Sequence, residues 1–243
     1  MVVLWCLGLA VPLAAQEHNA HFLHHGAMPP GAIGSRQLQR GGPLPGFFQP
    51  VEIKAPSGAS ISLAVANQFD PPQAVSRRAG FLIGQVYRLR VTNIALPEGS
   101  EGMEVFPTIE VIDRTYAPPD QQVRFAIPVE LALDDLRQAL RGKFVTRVIY
   151  LEDPRAALPV RSDPQAQEWF EVGPDRDPLA VADALGRPVA ILRMGGRVPD
   201  QGPDPGFFFR SPPWIVYPPR AATPQPKAVL PAKPAPAAEE AKP

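Results

Sequence analysis

The chain has 243 residues, 45% of them hydrophobic, which suits one globular domain with tails or two small domains. Acidic and basic side chains number 24 each, and this zero net charge argues against a nucleic-acid-binding protein, because such proteins carry a basic excess or stripe. The 33 prolines argue against long helices and favour short strands, turns and extended linkers.

The N-terminal segment predicts export to the periplasm or cell envelope. Residues 2–15 form an apolar run that ends in small residues, which matches a signal-peptide core and is too short to span a bilayer. We expect residues 1–15 to be a signal peptide cleaved after Ala15; a buried N-terminal strand is the alternative. The single cysteine, Cys6, lies inside this run, so the mature chain would have no disulfide. Because cleavage would remove the apolar run, the mature chain is also expected to have no transmembrane helix.

Residues 16–50 are predicted to form a His-, Gly- and Pro-rich arm without regular structure. Prolines and glycines between residues 29 and 34 interrupt any helix or strand. We expect the arm to contact the domain through four apolar side chains. These are Ile33, Leu38, Phe47 and Phe48.

The histidines are the candidate metal ligands. All four, His18, His21, His24 and His25, lie within this arm, and imidazole nitrogen suits Zn²⁺, Cu²⁺ and Ni²⁺. Cleavage after Ala15 would also place His18 third in the mature chain, where the free amine, two amides and the imidazole bind Cu²⁺ or Ni²⁺ in a square plane. Cyclisation of Gln16 would remove that amine. The alternative is a solvated polar arm with adventitious metal affinity.

Residues 51–199 are predicted to form a mainly β domain. Short runs rich in valine, isoleucine and leucine are separated by turn residues at intervals of about ten. The predicted strands lie within 51–65, 84–94, 104–114 and 123–131. We therefore expect an antiparallel, immunoglobulin-like sandwich with one or two short helices; an α+β arrangement is the alternative.

Two segments predict a helix followed by a strand. Leu133, Leu136 and Leu140 recur with helical spacing, Gly142 would end the helix, and a valine-rich strand follows. The second unit, within 177–194, begins with Asp-Pro and repeats the helix–Gly–strand order.

The C-terminal residues are predicted to lie outside the domain. Residues 200–220 form an aromatic and Pro-rich arm, and residues 221–243, rich in Pro, Ala and Lys, are expected to be disordered. The motif PGFF occurs at 45–48 and again at 205–208. Because adjacent exposed phenylalanines would form an apolar patch, we expect both motifs to bury their rings and hold the domain ends together.

Several stretches of the chain form a recognisable set. They are VYRLRVTNI, EVFPTIEVIDR, FVTRVIYLEDP and GRPVAILRMGGRVP, with the arm MPPGAIGSRQLQRGGPLPGFFQPVEI. These stretches resemble secreted proteins of planctomycete-type bacteria, a family with no assigned activity. The resemblance covers roughly residues 24–217. It implies export and residence in the envelope, and it implies no functional residue.

The residues favour a non-enzymatic structural or interaction module of the bacterial cell envelope, with an envelope protein or polysaccharide as its partner. The mature chain would have no cysteine, and its histidines lie on an arm that is predicted to be mobile, so a positioned nucleophile–base pair is not expected. A periplasmic metal-binding protein that uses the histidines is the first alternative. A carbohydrate-active enzyme that uses paired carboxylates, such as Glu104 with Glu110, is the second.

Overall fold

The computed structural model describes residues 21, 24–74, 76–95, 102–153, 169, 171–198 and 210–217. Within them the fold is mainly β, with two largely antiparallel sheets and three short α-helices, so the predicted sandwich class is confirmed. No helix among these residues is long and apolar enough to cross a membrane. The predicted signal peptide and C-terminal tail lie outside the described residues.

The strands and helices follow the chain in this order. The strands are β1 (Phe48–Lys54), β2 (Ser60–Val65), β3 (Gln68–Phe69), β4 (Gln73–Ala74), β5 (Ser76–Leu82), β6 (Val86–Thr92), β7 (Thr108–Val111), β8 (Ile127–Glu130), β9 (Val145–Glu152), β10 (Gly186–Met194) and β11 (Trp214–Val216). The helices are α1 (Ala32–Gln39), α2 (Leu133–Leu140) and α3 (Pro178–Leu185), with a 3-10 turn at Gln122–Phe125.

The two sheets share one hydrophobic core. The smaller sheet has the order β11-β5-β1-β8, with β1 and β8 parallel, and the larger has the order β3-β2-β6-β7-β10-β9, with β4 beside β2. Phe81 of the smaller sheet stacks on Tyr87 of the larger with ring centroids 3.9 Å apart. Alternation along β6 explains this contact: Tyr87, Leu89 and Val91 point into the core, and the residues between them are half-buried.

The turn predicted between the first two strands connects the two sheets. Ala59 donates its backbone N–H to the carbonyl of Pro56, and Gly58 has φ 86°, which glycine adopts readily. On either side of this turn, β1 pairs with β5 and β8, whereas β2 pairs with β6. The turn therefore crosses the core instead of closing a hairpin.

The outer face of the larger sheet is covered by α1 and α3. Ile33 of α1 and Leu179 of α3 pack on Ile112 and Ile191, and these four fully buried side chains form a second, smaller core. Because one face of β10 meets the sandwich core and the other meets the helices, seven consecutive residues of this strand are buried. The part of the chain that the structure describes therefore has three layers, and α1 and α3 form the third.

The prediction that residues 16–50 contain no regular element is wrong for Ala32–Gln39, which form α1, and for residues 48–50, which begin β1. The prolines precede the helix, where they are tolerated, and Gly31 adopts φ 89° at its N-cap. Gly34 lies inside the helix because the helix crosses the turn after β5 closely: a Cβ on Gly34 would lie 2.6 Å from the Cα of Gly84. Contact through Ile33 is confirmed, since this side chain is fully buried.

The remaining predicted elements are confirmed in outline. Helices α2 and α3 and the strands that follow them lie where the pattern indicates, while residues 123–125, predicted as strand, belong to the 3-10 turn before β8. Part of the predicted C-terminal arm forms β11, which pairs with β5. The second PGFF motif lies outside the described residues, so the predicted clamp can be judged only at the first motif, where Phe47 packs on the main core.

Candidate functional site

Two of the predicted metal ligands, His21 and His24, form a buried pair. Their exposed fractions are 2% and 6%, and their Nδ1 atoms are 3.0 Å apart. The backbone N–H of His24 donates to the carbonyl of His21 at 2.8 Å, so the two rings project from one turn. At this separation one Nδ1 donates a proton and the other accepts it, which requires that at least one ring be neutral.

Residues from two helices surround the pair. Asp183 of α3 accepts the backbone N–H of His21 at 3.0 Å. The amide nitrogen of Gln37, from α1, lies 3.2 Å from both ring nitrogens of His21. Equal distances to the two nitrogens place the amide over the ring face, because an in-plane position would bring it too close to the ring carbon between them. The in-plane partner of His21 Nδ1 is therefore His24.

Burial lowers the pKa of both imidazoles. For His21 desolvation is the largest cause, opposed by the nearby carboxylate of Asp183. For His24 desolvation is again the largest cause, and the guanidinium groups of Arg40 and Arg36 lower the pKa further. The pair is therefore held in its uncharged form to lower pH than free histidine.

His25, the third predicted ligand that the structure describes, does not join this pair. His25 is exposed, its Nδ1 accepts the backbone N–H of Ala27 at 3.0 Å, and it lies 3.9 Å from Asp177. His18 lies outside the described residues. Within the described part of the chain, no three His, Cys, Asp or Glu side chains are grouped so that they could hold a metal ion. What the structure offers is a two-histidine contact.

The part of the predicted arm that follows His24 packs on the larger sheet, and two charged side chains of that sheet contact its backbone. Glu110 of β7 and Arg193 of β10 form an ion pair at 2.8 Å, with exposed fractions of 0% and 3%. Glu110 also accepts the backbone N–H of Gly34 at 2.9 Å, and Arg193 reaches the carbonyl of Gly26 at 3.4 Å. The buried charges thus satisfy backbone groups of Gly26 and Gly34, which lie before and within α1.

The carboxylates considered for acid–base chemistry have basic partners. Glu110 pairs with Arg193, and Glu104 pairs with Arg90. Paired catalytic carboxylates must instead flank the bond that is to be cleaved. Each of the two carboxylates therefore forms an ion pair with an arginine within the fold.

An open cavity lies beside α1. Its volume is about 850 Å³, and it is bounded by segments 30–35, 66–67, 84–88 and 210–212. The side chains of Ser35, Asn67, Gln85, Arg88 and Arg210 line it. We call this cavity the α1 groove. Its residues include neither carboxylate nor imidazole, and the pKa of Arg88 is lowered by burial and by the positive charge of Arg197.

Comparisons with protein-family models, with curated proteins and with solved structures found no match. The groove and the histidine pair are therefore interpreted from their own geometry.

Sequence reasoning did not predict the α1 groove. Its walls come from four segments that lie far apart in the chain, and their polar side chains form no local motif. One local signal was present: Asn67 is a residue type that favours turns and tolerates positive φ, and in the structure Ala66 and Asn67 form the two-residue turn between β2 and β3 with φ 46° and 65°. That signal predicts a turn, but not which distant segments approach it.

Proposed function

We propose that this protein is a non-enzymatic interaction module of the bacterial cell envelope that holds its partner in the α1 groove. The observation that carries the proposal is the chemistry of the groove: guanidinium, amide and hydroxyl groups around about 850 Å³ of open space. Ligand sites typically occupy about 300–1,000 Å³. The predicted export and the resemblance to secreted proteins support the envelope location.

The groove favours recognition over chemistry. Arginine remains protonated in proteins and so cannot serve as a base, and the amides of Asn67 and Gln85 do not titrate. A serine such as Ser35 becomes a nucleophile only beside a base, and its hydroxyl instead donates to the carbonyl of Gly84 at 3.5 Å. These groups can donate and accept hydrogen bonds, as a binding site requires.

Co-sedimentation with purified envelope fractions tests this function. We expect the processed protein to sediment with the fraction, and the Arg88→Gln/Arg210→Gln double variant to lose about tenfold in apparent affinity, since each arginine would donate charge-assisted hydrogen bonds. Arg124→Gln/Arg141→Gln is the matched control, because it removes two positive charges from exposed sites that do not line the groove. Retention of the Arg88→Gln/Arg210→Gln variant at the control level, or no retention of the unaltered protein, would contradict the proposal.

A second candidate function, metal binding, is favoured by one distance. Two nitrogens bound to the same ion at about 2.0–2.1 Å lie roughly 3 Å apart when they subtend a right angle, and the Nδ1 atoms of His21 and His24 are 3.0 Å apart. Calorimetric titration with Cu²⁺, Ni²⁺ and Zn²⁺ tests it, with His21→Ala/His24→Ala beside His25→Ala as control. Binding weaker than about 1 μM, or equal binding by both variants, would refute this candidate.

A further inference from the structure

The segment that follows β7 is fixed by side chains from both sheets. Arg187 of β10 pairs with Asp113 and donates from Nη1 to the carbonyl of Arg114 at 2.8 Å. Gln49 of β1 is fully buried and accepts the backbone N–H of Thr115 at 2.9 Å. Because one anchor comes from each layer of the sandwich, the backbone of residues 113–115 is held in one position.

This fixed segment presents a stack of cations and aromatic rings. The guanidinium of Arg114 lies 4.2 Å from the ring centroid of Tyr116 and 5.7 Å from that of Phe47. The guanidinium of Arg187 lies 4.7 Å from the Tyr116 centroid. Both tyrosine contacts are within cation–π range. The rings therefore orient Arg114 without neutralising its charge.

Among the described residues, Arg114 pairs with no carboxylate, whereas most arginines of the strands do. Those that pair with a carboxylate are Arg77, Arg78, Arg90, Arg147, Arg187 and Arg193. Among the residues that the structure describes, Arg114 forms no ion pair, and its Nε is buried without a hydrogen-bond partner. Because Asp113 pairs with Arg187, the stack keeps one positive charge in excess.

Tyr116 carries a second, independent sign of a binding surface. Its φ is 52°, a conformation that a bulky residue rarely adopts, and 56% of its surface is exposed. Such conformations persist only where the surroundings enforce them, and they concentrate at functional positions. Here the anchors at Thr115 and Arg114 enforce it, and the outcome is an exposed tyrosine beside an unneutralised arginine.

We propose that Arg114 and Tyr116 form a docking point for an acidic segment of a partner protein, in which an Asp or Glu carboxylate pairs with the Arg114 guanidinium. The planar guanidinium fork matches a carboxylate in shape and charge, and arginine and tyrosine are enriched among the residues that dominate protein interfaces. A protein partner is favoured over a polysaccharide because two guanidinium groups already cover the Tyr116 ring, which reduces the face on which a sugar could stack. None of these residues lines the α1 groove, so this proposal does not depend on the groove function.

Fluorescence anisotropy with a labelled oligo-glutamate peptide tests the proposal at low ionic strength, with an oligo-glutamine peptide as the neutral probe. We expect Arg114→Gln to weaken oligo-glutamate binding by about tenfold or more, and Arg114→Lys, which keeps the charge but loses the fork, to fall between. Arg124→Gln removes the same charge from an exposed site and should bind like the unaltered protein. Thermal unfolding verifies that each variant is folded.

A second variant keeps the proposal testable if Arg114→Gln does not fold. Tyr116→Leu leaves the charge of Arg114 in place and removes the ring that orients it, so binding should fall several-fold while salt still weakens it. Equal peptide binding by Arg114→Gln and Arg124→Gln would overturn the proposal. A polyuronate chain that binds as tightly as the peptide, with the same dependence on Arg114, would overturn the assignment to a protein partner.

Discussion

Replacement of Glu110 by glutamine tests whether one buried ion pair holds residues 26–34 on the larger sheet. Glutamine retains an oxygen that can accept the N–H of Gly34, so the change removes mainly the charge opposite Arg193. Both side chains of the pair are almost completely buried, at 0% and 3% exposure, with Nη1 and Oε2 at 2.8 Å. Removing one partner of such a pair leaves an uncompensated buried charge and costs about 3–5 kcal/mol.

Urea unfolding, followed by circular dichroism, measures this loss. The control is Asp134→Asn: Asp134 pairs with Arg137 at 3.2 Å, but its side chain is 85% exposed. Exposed pairs of this kind contribute about 0–1 kcal/mol, so the control should unfold close to the unaltered protein. A loss below about 1 kcal/mol for Glu110→Gln would refute the reasoning, since it would mean that water or a rearrangement neutralises Arg193 without cost.

The double variant Glu110→Leu/Arg193→Met separates the ion pair from its anchoring role. Replacing a buried pair by apolar residues is often neutral for global stability. However, it leaves the N–H of Gly34 and the carbonyl of Gly26 without their partners. We therefore expect near-normal global unfolding together with faster amide hydrogen exchange in residues 26–34; unchanged exchange there would show that other contacts hold the segment.

Three further perturbations test the packing of the N-terminal segment. Burial lowers the pKa of His21 and His24 in the folded protein. The free energy of unfolding should therefore be highest above the unfolded pKa of about 6.5 and should decrease as the pH falls below it. In the His21→Ala/His24→Ala variant, the free energy of unfolding should no longer decrease in this pH range. Gly34→Ala should destabilise by about 1–3 kcal/mol in urea, since the added Cβ meets backbone at 2.6 Å, whereas Gly173→Ala, with open space, should not. Phe47→Ala should lower the melting temperature by a few degrees, because this half-buried ring packs on the main core; no change would indicate that the ring contributes no packing.

The elements that could be predicted from the sequence are those with local determinants. Leu133, Leu136 and Leu140 recur with helical spacing, and α2 ends at Leu140, just ahead of Gly142, which adopts φ 78°. Asp177 begins α3 because its carboxylate accepts the backbone N–H of Leu179 at 3.3 Å. Signals of this kind act within a few residues, so they can be recognised in the sequence without knowledge of tertiary contacts.

The parts that could not be predicted depend on contacts between distant residues. Gly34 tolerates a helix because Glu110, 76 positions away, accepts its N–H. The position of His21 depends on Asp183, 162 positions away. Local composition around these residues, with glycine and proline nearby, indicates a loop, and only the tertiary contacts reverse that expectation. The sequence around Arg114 likewise does not predict the stack of cations and rings, because one of the rings that contact Arg114 belongs to Phe47, which is distant in the chain.

The 3.0 Å contact between His21 and His24 is compatible with a shared proton and with a shared metal ion, and the two arrangements differ in how added metal changes the stability of the protein. A hydrogen-bonded pair loses stability in acid whether or not metal is present. A chelating pair gains stability from metal at neutral pH, by about 2.7 kcal/mol at one hundred times the dissociation constant, and loses that gain in acid because protons compete for the same nitrogens. Melting temperatures measured across pH with Zn²⁺ and with a chelator therefore discriminate between them. If metal raises the melting temperature at neutral pH and His25→Ala keeps the increase while His24→Ala removes it, the pair is a metal site; if metal has no effect at any pH, the histidines serve only to pack the N-terminal segment.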